Sequence, residues 1–441
     1  MNHSHIPSRP DAPDTHVASP VRAPWMLPDR GSRPRNVVNR LLCALAVAGI
    51  GAAGWGFWLE YAEHRDVAES RKEIESGCAG LADPDAVLRL NGGIYRVKRS
   101  SDPDDTIDRE QQNGSCVIYR VGDPGTTYAH FALSLTPHPS DRYANIISDE
   151  TEEVFHWHDR PQGEELTARA DEAPPHPLGD GRLGHYDEST ATAKAVCANP
   201  AEAKGRVTSV KALAMAQYDE DVTAADRRAL AGIARHAADK AADRLDCEAA
   251  LPEVPKRLDA AELRFGKAGS ATGTCGWYAR FTAVQGRGEL PDRALGAPAG
   301  SASWEERCLL AASADETRRV WPHHADGELK DQRLRDALRF APWWIRTESY
   351  FGDEAAEVAA DSFGTDRTAL APGTAGRIRG PGIWWASSVC DGQPAVHTMT
   401  ASYPYDDIVK GRLSELFRAY IDDVAERRGC TDVRFPKIVT P

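Results

Sequence analysis

An uncharged apolar run, residues 41–59, constrains this chain more than any other feature. As a helix rising 1.5 Å per residue it would span ~28 Å, close to the ~30 Å apolar core of a bilayer. The run predicts a transmembrane helix over residues 37–60. Six arginines (Arg9, Arg22, Arg30, Arg33, Arg35, Arg40) stand before it against Asp11, Asp14 and Asp29, a charge of +3. Glu60, Glu63 and Asp66 follow it. This bias predicts a cytoplasmic N-terminus and an exported remainder, with Trp55, Trp58 and Tyr61 at the outer headgroups. Forty residues precede the run and it exceeds the 7–15-residue core of a signal peptide, which favours an uncleaved anchor. Cleavage near its Ala/Gly stretch, releasing a secreted protein, is the alternative. Leu42 ahead of Cys43 is not the small residue that a lipid-attachment signal needs. Ala44, Ala48, Ala52 and Gly56 form a ladder of small side chains through which two such helices could pair as a weak homodimer.

With the chain at −13 and the tail at +3, residues 41–441 carry −16. That acidity argues against nucleic acid as a partner. The tail, residues 1–36, is Pro- and Arg-rich with few aliphatics and reads as disordered. Residues 61–76 are charged, free of Pro and Gly, and predict a short exposed juxtamembrane helix.

Nine cysteines are present, and Cys43 lies within the run. Eight outside, in an oxidising compartment, read as four disulfides, for which 105 pairings exist. The layout of the chain chooses among them. In residues 77–256, Asp83 and Pro84 start a short helix that Asn91-Gly92-Gly93 stops. Strand-like runs follow at 116–121, 127–135, before Cys197, and at 206–218. Thr223 then caps a helix over 224–246 with the stripe Leu230, Ile233, Ala237, Ala241, Leu245, and Cys247 comes next. Residues 257–441 repeat the plan: a short helix at 258–265, a strand from Cys275, another carrying Cys308, and aromatic runs at Trp343-Trp344 and Trp384-Trp385. Cys390 is followed by a strand at 395–403 and a helix over 407–428, striped by Leu413, Leu416, Phe417, Tyr420, Ile421 and Val424. Cys430 closes it. A strand of ~30 Å and an antiparallel helix of ~33 Å bring the two ends together, which pairs Cys197 with Cys247 and Cys390 with Cys430. Cys78–Cys116 and Cys275–Cys308 remain.

Reaction chemistry is weakly signalled. His156 and His158 share one face if extended, as zinc ligands would, and His176 or His185 could supply a third; a solvated loop is the plainer reading. His323 and His324 read as surface residues. Gly266-Lys267 lacks the upstream glycine of a phosphate loop, and no Gly-x-Ser-x-Gly elbow occurs. No cofactor is implied. Trp343-Trp344 and Trp384-Trp385 could line a sugar or lipid groove or fill a core; on a strand, one of each pair should point outward.

Cys78-Ala-Gly-Leu-Ala-Asp-Pro, then a helix, a Gly pair and Cys116 in the first strand, resembles a family of actinobacterial secreted and lipoprotein domains. That family opens Cys-x-Leu-Leu-x-Pro and has no characterised function. It is akin to the extracytoplasmic sensor domains of mycobacterial receptor kinases. The resemblance covers Cys78 to Cys116 in the first module, reduces to Leu258 to Cys275 in the second, which lacks the opening cysteine, and implies a two-bridge α+β module.

The expectation is an α+β protein: one N-terminal transmembrane helix, then two duplicated disulfide-linked modules, each an antiparallel sheet backed by a long C-terminal helix. Its leading role is a non-catalytic envelope binding, sensing or assembly protein that contacts a ligand or protein partner through the second module. A cell-envelope hydrolase, metal-dependent through His156 and His158, and a structural spacer are the alternatives.

Overall fold

Helix α1 (Arg33–Gly77) is unbroken, so the apolar run and the charged stretch after it belong to one helix, not two. It ends where Ala79 and Gly80 turn left-handed, the usual way to close a helix. The computed structural model describes residues 33–122, 125–140, 145–148, 150, 154–155, 164–361, 367–378 and 382–437. The chain forms two units, one ending at Arg65 and one beginning at Asp66.

In the first unit the large apolar side chains of the run, Val47, Ile50 and Phe57 among them, are exposed. This is the one helix among the described residues that is long and apolar enough to cross a membrane.

In the second unit the last turns of α1 bury one face, at Ser70 and Ile74, while Glu69, Arg71, Lys72 and Glu75 stay exposed, so the expected exposed helix is corrected on that face alone. The Ser70 hydroxyl donates to the Tyr95 carbonyl at 2.8 Å and accepts from the Val97 N–H at 3.0 Å. Asp83 caps α2 (Pro84–Arg89). Then come β1 (Val97–Arg99), β2 (Ile107–Asp108), β3 (Asn113–Val121), β4 (Thr127–His138), β5 (Asn145–Ile147), β6 (His176–Pro177), β7 (Gly184–Tyr186), β8 (Thr190–Val196) and β9 (Ser209–Ala216). Helix α3 (Ala224–Arg244) starts at a full capping box between Thr223 and Asp226. The first sheet is antiparallel, ordered β1-β3-β4-β9-β8-β7-β6, with β2 on β3.

The second half holds β10 (Gly266–Lys267), α4 (Gly276–Gln285), β11 (Arg293–Gly296), β12 (Glu305–Ala311), α5 (Ala314–Val320), α6 (Leu334–Arg339), β13 (Trp344–Phe351), α7 (Asp353–Ala356), β14 (Val358–Ala360), β15 (Thr368–Ala369), β16 (Gly376–Ile378), β17 (Ile383–Cys390), β18 (Gln393–Ala401), α8 (Tyr405–Arg428) and β19 (Thr431–Arg434). Its antiparallel sheet runs β10-β11-β12-β13-β18-β17-β16, with β19 on β17. A third sheet, β15-β14-β5, crosses the halves through a parallel pairing of β14 with β5. Four disulfides staple the second unit: Cys78–Cys116, Cys197–Cys247, Cys275–Cys308 and Cys390–Cys430.

Three local expectations fail for physical reasons. Residues 258–265 are not helical. Their backbone pairs outward, Ala170 N–H to Leu263 O and Phe265 N–H to Ala168 O, and Leu258 is their one buried apolar side chain, too little for so short a helix. The segment after Cys275 is helix α4, not a strand. Trp277, Tyr278 and Phe281 are buried at helical spacing, and Trp277 packs on Tyr420 of α8 with ring centres 5.3 Å apart. Trp343 and Trp344 are both buried, because β13 is central and covered on both faces. Trp343 joins the core with α8 and Trp344 a separate cluster with Phe155 and Leu166.

Candidate functional site

Alternation in β8 and β9 builds the site. Ala191, Ala193, Ala195, Val210, Ala212 and Ala214 are buried in one cluster with the alanine stripe of α3, Ala234, Ala237, Ala238 and Ala241. Small side chains on both surfaces let helix and strands approach closely. The residues between them, Thr192, Lys194, Ser209, Lys211 and Leu213, must then face the other way.

Register lines this second face up across the sheet. Ser115 opposes Ser134, Ser134 opposes Leu213, Leu213 opposes Thr192 and Thr192 opposes His185. At ~4.8 Å between strands the row is ~19 Å long. It lines a cleft of about 900 Å³, whose other lining residues include Trp304 and Glu305 from the second half. Among the described residues, the hydroxyls of Ser115, Ser134, Thr136 and Thr192 have no hydrogen-bond partner in the protein. Thr192 is only 4% exposed. The buried Trp304 indole N–H is likewise without a described partner.

The charges at the site are internally paired. Lys194 and Lys211 from the first sheet reach the Glu354 carboxylate at 3.1 and 2.9 Å, and both ammonium groups lie over the Trp304 ring, 5.4 and 5.6 Å from its centre. The two lysines hold the Glu354 carboxyl well below the usual range against the opposing cost of burial, and Glu354 raises Lys211 in turn. Glu305 meets Arg307 at 3.3 Å, and Arg307 meets Glu348 at 2.9 Å. Burial raises Glu305. The His185 ring sits 4.5 Å from that of Trp304, and burial pushes its imidazole down to about 4. It is therefore neutral at pH 7, with one donor and one acceptor nitrogen.

His156 and His158 lie outside the described residues. His176 opposes Tyr186 and His185 opposes Pro177 on paired strands, so the two histidines point to opposite faces and do not converge. Among the described residues no group of three His, Cys, Asp or Glu side chains could hold a metal ion. His324 is not a free surface residue: its ring bridges Glu289 and Glu328, each at 3.1 Å, and it follows a single 3-10 turn, not an extended segment.

The tryptophan pairs do not line a groove among the described residues. Trp321, Trp343 and Tyr405 stack in the core of the second half, and Trp385 donates to Thr374. One arrangement mimics a nucleophile and its base: His397 lies between Ser349 (2.7 Å) and Ser388 (2.8 Å). All three side chains are buried, His397 and Ser349 at 1% exposure or less. No substrate reaches them, so the cluster is a polar strut in the core. The sequence singles out His185 but not the hydroxyl row; the row's one local signal is Thr190-Ala-Thr-Ala-Lys-Ala, a strand pattern with small residues on one face and polar ones on the other.

No family model matches the chain, no curated protein matches it in sequence, and no solved structure matches it.

Proposed function

We propose that the protein is a membrane-anchored, extracytoplasmic binding protein of the cell envelope, and that it takes its ligand in the cleft between the two large sheets. The carrying observation is the row of unpartnered hydroxyls there, one of them on the buried Thr192. A site with polar groups held ready, and among the described residues no lining hydroxyl hydrogen-bonded to a base, suits binding without chemistry. Residues 37–60 anchor the chain with the N-terminus in the cytoplasm, as the arginine bias favours. The exposed apolar helix and the four bridges outside it support export.

Residues 77–256 and 257–441 are, on this reading, two copies of one design, each sheet backed by its closing helix. In support, β3-β4-β9-β8 and β12-β13-β18-β17 have the same order. In both, the first strand carries a bridged cysteine, the last ends at another, and a long helix leads to its partner. The likeness of residues 78–116 to actinobacterial secreted domains belongs to the same proposal.

The full chain in lipid nanodiscs, heated with the small-molecule fraction of a cell-wall digest from its host, tests the reading. Ligand at a hundredfold over Kd stabilises the native state by about 2.7 kcal/mol, which raises Tm by a few degrees. Ser134→Trp, which fills the cleft from a half-buried position, should abolish the rise. An unmoved Tm for the wild-type protein, or a rise that survives Ser134→Trp, would contradict it.

A further inference from the structure

Resting on the cleft as the ligand site, we infer that its ligand is a neutral polyhydroxylated chain, an uncharged oligosaccharide, laid across the strands of the first sheet along Ser115, Ser134, Leu213 and Thr192. Three observations carry this. The free polar groups of the wall are uncharged except for the exposed Asp104: the hydroxyls of Ser115, Ser134, Thr136 and Thr192, the exposed Asn113 amide and the His185 ring. A hydroxyl both donates and accepts, so the row matches a ligand whose own groups do both at successive positions. An anion would instead want an uncommitted cation, and a cation an uncommitted carboxylate.

The buried charges of the cleft are already paired. Lys211, the one Lys or Arg among the described lining residues, is 2.9 Å from Glu354. Glu305 is 3.3 Å from Arg307. A charged ligand in the depth of the cleft would have to break one of these pairs, leaving its partner buried and uncompensated, whereas a cation on the exposed Asp104 would gain only a water-screened surface pair. Asp104, the other carboxylate of the lining, is exposed and in water.

The apolar content is also of the right kind. Leu213 interrupts the hydroxyl row at its middle and Trp304 lines the cleft with it. Pyranose rings present C–H faces between their hydroxyl edges, so a leucine between hydroxyls fits a chain of them. Trp304 packs against His185 and the two ammonium groups, and its indole N–H is buried, so its part is to shape the wall beside Leu213. From Ser115 to Thr192 the row is ~14 Å long, which suits several linked units better than one small molecule.

Titration calorimetry on the full chain in nanodiscs tests the class with maltohexaose, cellohexaose and chitohexaose against oligogalacturonate (anionic) and chitosan (cationic) hexamers. Saturable binding of at least one neutral hexamer is expected, weakened about tenfold or more by Thr192→Val and by Ser134→Ala. Neither change adds bulk, and far-UV circular dichroism reports whether each variant is folded. Binding of a charged hexamer alone, weakened by the same variants, overturns the neutral class and leaves the cleft standing. So does silence from all three neutral hexamers while the wall digest still raises Tm in a Ser134→Trp-sensitive way. Neutral binding that ignores both variants overturns the placement along the row. Silence from hexamers and digest alike overturns the cleft reading itself.

Discussion

Glu354→Ala should cost the folded protein about 3–5 kcal/mol, the loss that follows when one member of a buried charge cluster is removed and the others stay. Glu354 is 4% exposed and holds Lys194 and Lys211 from the opposite half of the unit; it also accepts from the Asn145 amide at 3.1 Å. Without it Lys211 loses the carboxylate at 2.9 Å and Lys194 keeps only the looser Asp353 at 3.8 Å. The urea midpoint should fall while the m-value stays constant. Replacing all three residues together, Glu354→Leu with Lys194→Met and Lys211→Met, should recover most of the loss, because the cost lies in the uncompensated charge. A loss below about 1 kcal/mol for the single change would mean that the two halves do not meet through this cluster.

Acidification from pH 7 to pH 5 should destabilise the protein by about 2 kcal/mol through His397 alone. Burial, helped by the nearby Arg428, pushes this imidazole down to about 3. The unfolded chain then binds a proton near pH 6.5 that the native state refuses. Stability is unaffected above that value and falls as pH drops from 6.5 towards 3. Other groups titrate nearby. His185 works in the same direction, whereas Glu188, pushed up to about 7 by burial, favours the folded state as pH falls through 7. Glu354, held low, keeps its contribution across this window and loses it only in stronger acid. The readable quantity is therefore a difference: the stability gap between the wild-type protein and His397→Gln should narrow by about 2 kcal/mol between pH 7 and pH 5. Parallel pH profiles would show instead that His397 is accessible to protons in the fold.

What can be read from the chain is what repeats locally. The uncharged run needs nothing beyond its own composition to be seen, and Leu413, Leu416, Tyr420 and Val424 announce the buried stripe of α8 by spacing alone. Thr223 with Asp226 states its own cap. Where neighbours decide, the sequence misleads: the aromatic run after Cys275 has strand-like composition, yet Trp277, Tyr278 and Phe281 form a helix face because α8 lies against them. Alternation points one of Trp343 and Trp344 outward, but alternation cannot say that a second cluster, around Trp344, covers the other side of β13. The cleft is hidden for a related reason. Ser115, Ser134 and Thr192 stand on three strands far apart in the sequence, and a hydroxyl facing a cleft has the same pattern as one facing water. His185 is visible as a histidine, but its neighbour Trp304 comes from the other half of the unit.

The most direct measurement is a count of thiols on protein taken from its native host, denatured and alkylated without reductant. One reactive thiol per chain, on Cys43, is expected for a second unit that is exported and held by four bridges. Alkylation of all nine cysteines would contradict export, the bridges and the envelope role together.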